Sequence, residues 1–75
     1  MQEYEIVLTY LNGCARAAYP QVSFDEAELN DPADYIRTKH TKDFSKFVTE
    51  NPEPGKSIWK FDNGCVSYTY EFNAL

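Results

Sequence analysis

The side chains best suited to nucleophilic, redox or metal chemistry in this chain are Cys14 and Cys65. Each cysteine follows an Asn-Gly pair, so the tripeptide Asn-Gly-Cys occurs at 12–14 and again at 63–65. A zinc site needs about four nitrogen or sulfur ligands, and only His40 and Asp62 could complete one here. The sequence therefore predicts no metal site. It also predicts reduced thiols, because two cysteines do not make the disulfide framework of small secreted domains.

His40 is the only histidine, so any acid–base mechanism that depends on an imidazole would have to use it. The neighbouring positions 38–43 contain no serine or cysteine that could act as a nucleophile. The spacing of His40 from Ile36 and Phe44 fits one face of a helix, which predicts a residue packed in or beside the core. Because no catalytic or cofactor-binding motif is found, we expect a protein that is not an enzyme and has no cofactor.

An acidic segment is the main candidate for binding. Its five acids fall within ten positions and are Asp25, Glu26, Glu28, Asp31 and Asp34. Acidic side chains stabilise helix N-termini, so capping accounts for several of them without any partner. A basic partner remains an alternative, because Asp25 and Glu28 are not needed for capping. The predicted partner contacts in this segment are Asp25, Glu26, Glu28 and Asp34.

Tyrosine is frequent, with six residues in a chain of 75. One helix cannot cover the aromatic surface of several strands, so some tyrosines should lie at the rim of the core. An aromatic ring with a hydroxyl suits a protein interface at such a position. Tyr19 and Tyr35 are the tyrosines predicted as partner contacts.

The composition narrows the possible partners and compartments. The net charge is -5 at pH 7, so phosphate backbones should repel the chain and direct nucleic-acid binding is not expected. The short basic stripe from Arg37 to Lys46 is read as a solvated helix face. No apolar stretch approaches the roughly 20 residues that span a bilayer, and the first residues do not resemble a charged signal-peptide region. We expect no membrane contact and a cytoplasmic location.

Two β-hairpins should position these side chains, because Asn-Gly between alternating apolar runs favours a tight turn. In the first hairpin, a strand over 4–11 would turn at Asn12-Gly13 and return over 14–19. Its core face would carry Tyr4, Ile6, Leu8, Tyr10, Ala15, Ala17 and Tyr19. In the second hairpin, a two-residue turn at Asn63-Gly64 would place Phe61 opposite Val66 and Lys56 opposite Glu71. Its core face would carry Trp59, Phe61, Val66, Tyr68, Tyr70 and Phe72.

Helices are predicted between the two hairpins. The spacing of Ser23 and Glu26 fits a capping box, which predicts a short helical turn that ends near Asn30. Asp31-Pro32 is a stronger start signal, with an acidic N-cap followed by proline at the first helical position. Apolar residues then recur at helical spacing as far as Val48, and the proline-rich stretch 51–55 should end the helix.

Together these elements predict one α+β domain over residues 1–75, with the order ββαββ and an antiparallel four-stranded sheet packed on one main helix. The expected function is non-enzymatic protein binding of an adaptor or inhibitor type, through rim tyrosines, the acidic segment or a sheet edge. The alternative is an acidic antagonist from a mobile element that imitates phosphates and captures a nucleic-acid-binding protein. A homodimer through a sheet edge is also open. The strand order and the distance between the cysteines do not follow from the sequence.

Overall fold

The structure, a computed structural model, describes residues 1–14 and 19–75. Five strands form one antiparallel sheet in the order β2-β1-β5-β4-β3. The elements are β1 Gln2–Asn12, β2 Gln21–Leu29, α1 Pro32–Lys39, a 3-10 turn Phe44–Lys46, β3 Val48–Glu53, β4 Lys56–Asp62 and β5 Val66–Ala74. The predicted α+β class is confirmed, whereas the predicted four-stranded ββαββ arrangement is wrong.

One face of the sheet packs against α1 and forms the core. Ile6 of β1, Ile36 of α1 and Phe72 of β5 are at most 1% exposed, and Tyr70 joins them. The predicted core faces of the first strand and of the second hairpin are confirmed for the residues that belong to this cluster or pack against it, which are Tyr4, Ile6, Leu8, Trp59, Tyr68, Tyr70 and Phe72. We call the opposite side of the sheet, which α1 does not cover, the open face.

The predicted first hairpin is wrong in its second strand. β1 pairs with β2, so that Tyr10 lies opposite Gln21 and Gln2 lies opposite Leu29. Of the strand predicted over 14–19, positions 15–18 (including Ala15 and Ala17) lie outside the described residues, and Tyr19 lies before β2. Pairing with β2 gives β1 a longer ladder of hydrogen bonds than a six-residue partner could offer.

The short helix predicted from Ser23 and Glu26 is also wrong, because both residues lie within β2. Val22 and Phe24 alternate with polar neighbours, which is equally compatible with a strand. The free edge of β1 offers a full ladder of backbone hydrogen bonds, and this tertiary pairing outweighs a local capping signal.

The helix predicted from Asp31 begins as expected and ends early. The Asp31 carboxylate accepts a 2.9 Å hydrogen bond from the backbone N–H of Ala33, and α1 ends at Lys39. Phe44 and Phe47 still pack against the core from the 3-10 turn and the residue after it. Their spacing therefore fits a continuous helix and an interrupted one equally well. Val48, predicted on the helix, is in β3, and the stretch predicted as a loop also contributes to that strand.

The second hairpin is confirmed, with a register that differs by two residues. Phe61 lies opposite Tyr68, and Asp62 lies opposite Ser67. Asn63 stays at negative φ while Gly64 has φ 91°, so the turn is not the predicted type I′. A shift of two leaves every side chain on its predicted face. Lys56 and Glu71 are diagonal neighbours, yet their side chains form a 2.6 Å ion pair.

Candidate functional site

The two cysteines form a disulfide bond, with 5.1 Å between their Cα atoms. The sheet order brings them together, since β1 lies beside β5 and Asn12 is paired with Val66. The backbone N–H of Gly13 also donates a 2.6 Å hydrogen bond to the carbonyl of Cys65. The predicted reduced thiols are therefore wrong. Neither sulfur is available as a thiolate nucleophile or metal ligand while the bond is intact.

His40 lies at the end of α1 among aromatic rings, as its helical spacing predicts. Its Nε2 is 2.6 Å from the Tyr70 hydroxyl, and its ring centroid lies 4.6 Å from that of Tyr68 and 5.1 Å from that of Phe47. Burial lowers the pKa of His40 below its usual 6.5, although Asp43 acts in the opposite direction. These contacts favour a neutral imidazole that supports the core.

Tyr35 connects α1 to β2. Its hydroxyl donates a 3.0 Å hydrogen bond to Oδ2 of Asp25. Burial, followed by this bond to a carboxylate, raises the pKa of Tyr35 to about 12. The structure thus brings two of the predicted partner contacts together, but they bind each other on the helix side of the sheet.

The outer edge of β2 carries backbone groups that β1 does not use. The N–H of Leu75 donates to the carbonyl of Glu3, so the odd-numbered residues of β1 direct their backbone groups towards β5. The even-numbered residues of β1 bond to odd-numbered residues of β2, because Ile6 is paired with Asp25. The remaining residues of β2 direct N–H and C=O away from the sheet; they are Val22, Phe24, Glu26 and Glu28.

One of these outward groups has a partner within β2 itself. The N–H of Glu26 donates a 2.9 Å hydrogen bond to Oδ1 of Asp25, which is independent support for the outward direction of this position. Asp25 therefore uses one carboxylate oxygen on the edge and the other on Tyr35. A strand that joined this edge would replace Asp25 as the acceptor for Glu26.

The side chains of the same four outward residues lie on the open face, opposite in direction to Asp25. Glu26 is paired with Glu5 of β1, and Glu28 with Glu3. These are pairs without mutual backbone hydrogen bonds, in which side chains come closest, and like charges directly opposite each other are destabilising. We call Glu3, Glu5, Glu26 and Glu28 the glutamate quartet.

In the described part of the chain, the glutamate quartet lacks the cations that other acids on this face have. Oε1 of Glu50 on β3 lies 3.4 Å from Nζ of Lys60, and Glu71 of β5 forms an ion pair with Lys56. Within residues 1–14 and 19–75, no lysine or arginine is in ion-pair distance of any quartet member. Beside the quartet, Phe24 is 72% exposed and Val22 is 54% exposed. This corner of the open face is both acidic and apolar.

The predicted partner contacts thus separate into different places. Glu26 and Glu28 lie side by side on the open face, whereas Asp25 and Tyr35 bind each other on the helix side. Asp34 lies on α1 and forms a 3.0 Å ion pair with Arg37. Tyr19 is 75% exposed and precedes β2.

Sequence reasoning missed Glu3, Glu5 and Phe24. Period-two alternation places the two glutamates on one face of the first strand, so that part was visible in the sequence. Only the pairing of β1 with β2 shows that they meet Glu26 and Glu28.

The other edge of the sheet, β3, differs from β2. It spans six residues, contains Pro52, and its pairing with β4 shifts register between Glu50 and Glu53. Proline lacks an N–H, and an irregular strand cannot present an even row of backbone groups. A second chain therefore meets a blocked edge at β3 and a regular edge at β2.

No family model matches this chain, and searches of curated proteins and of solved structures also found no match. In the described part of the chain, no helix has the length and apolar character needed to cross a membrane.

Proposed function

We propose that this chain is a non-enzymatic protein-binding domain that takes up an extended segment of another protein along β2. The observation that carries the proposal is the outward row of N–H and C=O groups over a nine-residue strand. An edge of this kind is a template for pairing with a further strand. Phe24 and Val22 add exposed apolar surface beside the same groups.

The absence of the usual protective features on β2 supports this proposal. Proteins commonly guard an edge with lysine, proline or a bulge. The sequence of β2, QVSFDEAEL, contains neither lysine nor proline, and its pairing with β1 is regular throughout. Only its acidic side chains limit what can bind.

Charge favours a different protein over a second copy of this chain. Pairing β2 with β2 of another copy would bring together two sets of Asp25, Glu26 and Glu28. Like charges on adjacent strands repel, and no cation in β2 offsets them. We therefore rank a heterologous partner above the homodimer.

The cellular location remains a prediction, and the disulfide bears on it. Cytosolic thiols are kept reduced, whereas secreted and periplasmic proteins retain disulfides. The bond between Cys14 and Cys65 therefore favours an oxidising compartment over the cytoplasmic location expected from the sequence. Thiol titration of the protein isolated from its host without reductant would decide between them.

A peptide selection would test strand addition. A displayed library of extended peptides is selected on the oxidised protein, and amide chemical shifts are then recorded with the best binder. We expect the largest changes along β2 and little change along β3. Binders that perturb only the helix side, or β3, would contradict the proposal.

A matched pair of variants isolates the backbone contribution. Phe24→Pro and Phe24→Thr both remove the ring, but only proline removes an outward N–H. Because β1 does not use that N–H, both variants should fold. Phe24→Thr should weaken binding moderately, and Phe24→Pro should abolish it.

The glutamate quartet favours a second candidate, the acidic antagonist that imitates phosphates. In that case a folded basic protein would lie on the open face and β2 would not gain a strand. Replacing all four glutamates with glutamine should then abolish a salt-sensitive complex, while Phe24→Pro should leave it intact. The two variants together separate the candidates.

A further inference from the structure

We propose that the segment added to β2 is basic, with lysine or arginine side chains beside Glu26 and Glu28 and apolar side chains beside Phe24 and Val22. This inference depends on the proposed strand addition. It deepens that proposal by naming the chemistry of the partner and its order along the strand.

The alternation of β2 determines which side chains of a partner would face these residues. A strand that joins the edge continues the sheet, so every second side chain of that strand lies on the open face. Those side chains fall directly beside the outward residues of β2. Two of these neighbours are acidic and two are apolar, and they occupy separate halves of the strand.

The order of the partner residues follows from the same geometry. An antiparallel partner would read basic-x-basic-x-apolar-x-apolar from its N-terminus, because its first residues lie beside Glu28. A parallel partner would read the reverse. The positions marked x lie on the helix side, beside Ser23, Asp25 and Ala27.

Electrostatics favours this occupant over a neutral or acidic segment. Glu5 and Glu26 lie directly opposite each other and repel, and so do Glu3 and Glu28. The described residues provide no neutralising cation for either pair. A cation placed beside Glu26 or Glu28 would gain attraction and also offset the repulsion within the pair. An acidic segment would increase that repulsion. The edge thus selects by charge and binds by backbone hydrogen bonds.

Short synthetic peptides provide the test. The basic probe is Lys-Thr-Lys-Thr-Val-Thr-Val, and the acidic probe replaces both lysines with glutamate. A neutral probe carries glutamine there, and a fourth probe reverses the basic sequence. Each peptide carries a fluorescent label, and its anisotropy is measured as the concentration of the protein is raised to about 1 mM. We expect the basic probe in one of its two directions to bind about tenfold more tightly than the neutral one, and the difference to shrink as salt rises.

Charge exchange on the protein provides the matched control. Glu26→Lys with Glu28→Lys should reverse the preference, so that the acidic probe binds best. Glu50→Lys with Glu53→Lys alters the net charge equally but lies on β3, and it should preserve the preference for the basic probe. Circular dichroism of both double variants checks that they are folded.

Each outcome distinguishes this inference from the proposed function. If the basic and neutral probes bind equally and Phe24→Pro abolishes their binding, the charge preference is overturned. Strand addition to β2 is then still supported. Preference for the basic probe that persists in Phe24→Pro would show attraction to a charged surface and would overturn both proposals. Absence of binding by every probe, or self-association as the only reaction of β2, would also overturn both.

Discussion

The two edge strands of this sheet resist pairing with other chains by different physical means. β3 is short and irregular and contains Pro52, so it obstructs any incoming strand. β2 is longer and regular, and its only obstacle is the negative charge of Asp25, Glu26 and Glu28. One edge is blocked by geometry and the other by charge.

This difference matters because the two kinds of obstacle differ in selectivity. A missing N–H weakens pairing with every partner alike, since no side chain of the partner can replace it. A negative charge excludes acidic strands, including a second copy of β2, but attracts a basic one. The comparison therefore predicts that β2 is selective and that β3 is inert.

The largest expected effect concerns the disulfide between Cys14 and Cys65, which supports the strands that lie between the two edges. Cys14→Ser with Cys65→Ser should lower the free energy of unfolding by about 2–4 kcal/mol, because the bond restricts the unfolded chain. The bond joins residues 51 positions apart and ties the segment after β1 to the β4–β5 turn. Neither cysteine lies in β2 or in β3, so amide exchange should accelerate at both edges.

Urea unfolding of the oxidised protein and of the double variant measures this loss. Reductant should destabilise the parent protein and leave the double variant unchanged. Equal stability of the two proteins would show that the bond contributes nothing in solution.

The next effect tests whether both edges depend on the same core. The pKa of His40 is lowered by burial from its usual 6.5, so below that value the unfolded chain binds more protons than the folded one. The contribution of neutral His40 to the free energy of unfolding should be fully present above about pH 6.5. It should be lost as the pH drops through the lowered pKa of the folded state. Because His40 contacts Tyr70 in the central strand β5, amides of both edges should lose protection together.

Unfolding midpoints between about pH 8 and about pH 5 measure this effect. His40→Gln removes the titrating group and should flatten this part of the profile. A profile that is unchanged in His40→Gln would assign the acid sensitivity to other groups.

A third, smaller effect tests whether charge alone guards β2. Glu26→Gln with Glu28→Gln should cause concentration-dependent self-association, because the edge would then expose Phe24 and Val22 without repulsion. Glu50→Gln with Glu53→Gln should stay monomeric, because Pro52 and the register shift still block β3. Sedimentation velocity distinguishes these results, and association of both variants would refute the comparison.

The smallest effect has opposite signs at the two edges. Glu5→Gln should raise the free energy of unfolding by about 0.2–1 kcal/mol, because it relieves repulsion with Glu26. Glu50→Gln should lower it by up to about 1 kcal/mol, because it removes the exposed ion pair with Lys60. Denaturant titrations at low salt measure both changes, and a shift of the same sign would contradict the charge argument.

Much of the fold was predictable where local and tertiary preferences agree. The start of α1 at Asp31-Pro32 depends on a cap and a proline that act within one turn. The faces of β1, β4 and β5 follow from period-two alternation, which survives even the two-residue shift in the second hairpin. The packing of His40 likewise follows from its spacing to Ile36 on the helix.

The candidate site was predictable only in part. The sequence predicts Glu26 and Glu28 as partner contacts, but it predicts them near a short helical turn that begins at Ser23. Their position on an edge strand depends on β1, whose free backbone groups pair with β2. The capping box at Ser23 could not reveal this, because a local motif contains no information about β1, where Leu8 is the residue paired with Ser23.

By itself the sequence determined the α+β class, the central aromatic core and the acidic character of the segment 25–34, because composition and periodicity act locally. The tertiary structure decided the strand order, since that depends on which distant backbones exchange hydrogen bonds. The strand order has three consequences. It brings Cys14 and Cys65 together in a disulfide, it assembles the glutamate quartet, and it leaves β2 exposed at an edge. These three features arise from long-range pairing, and all of them bear on function.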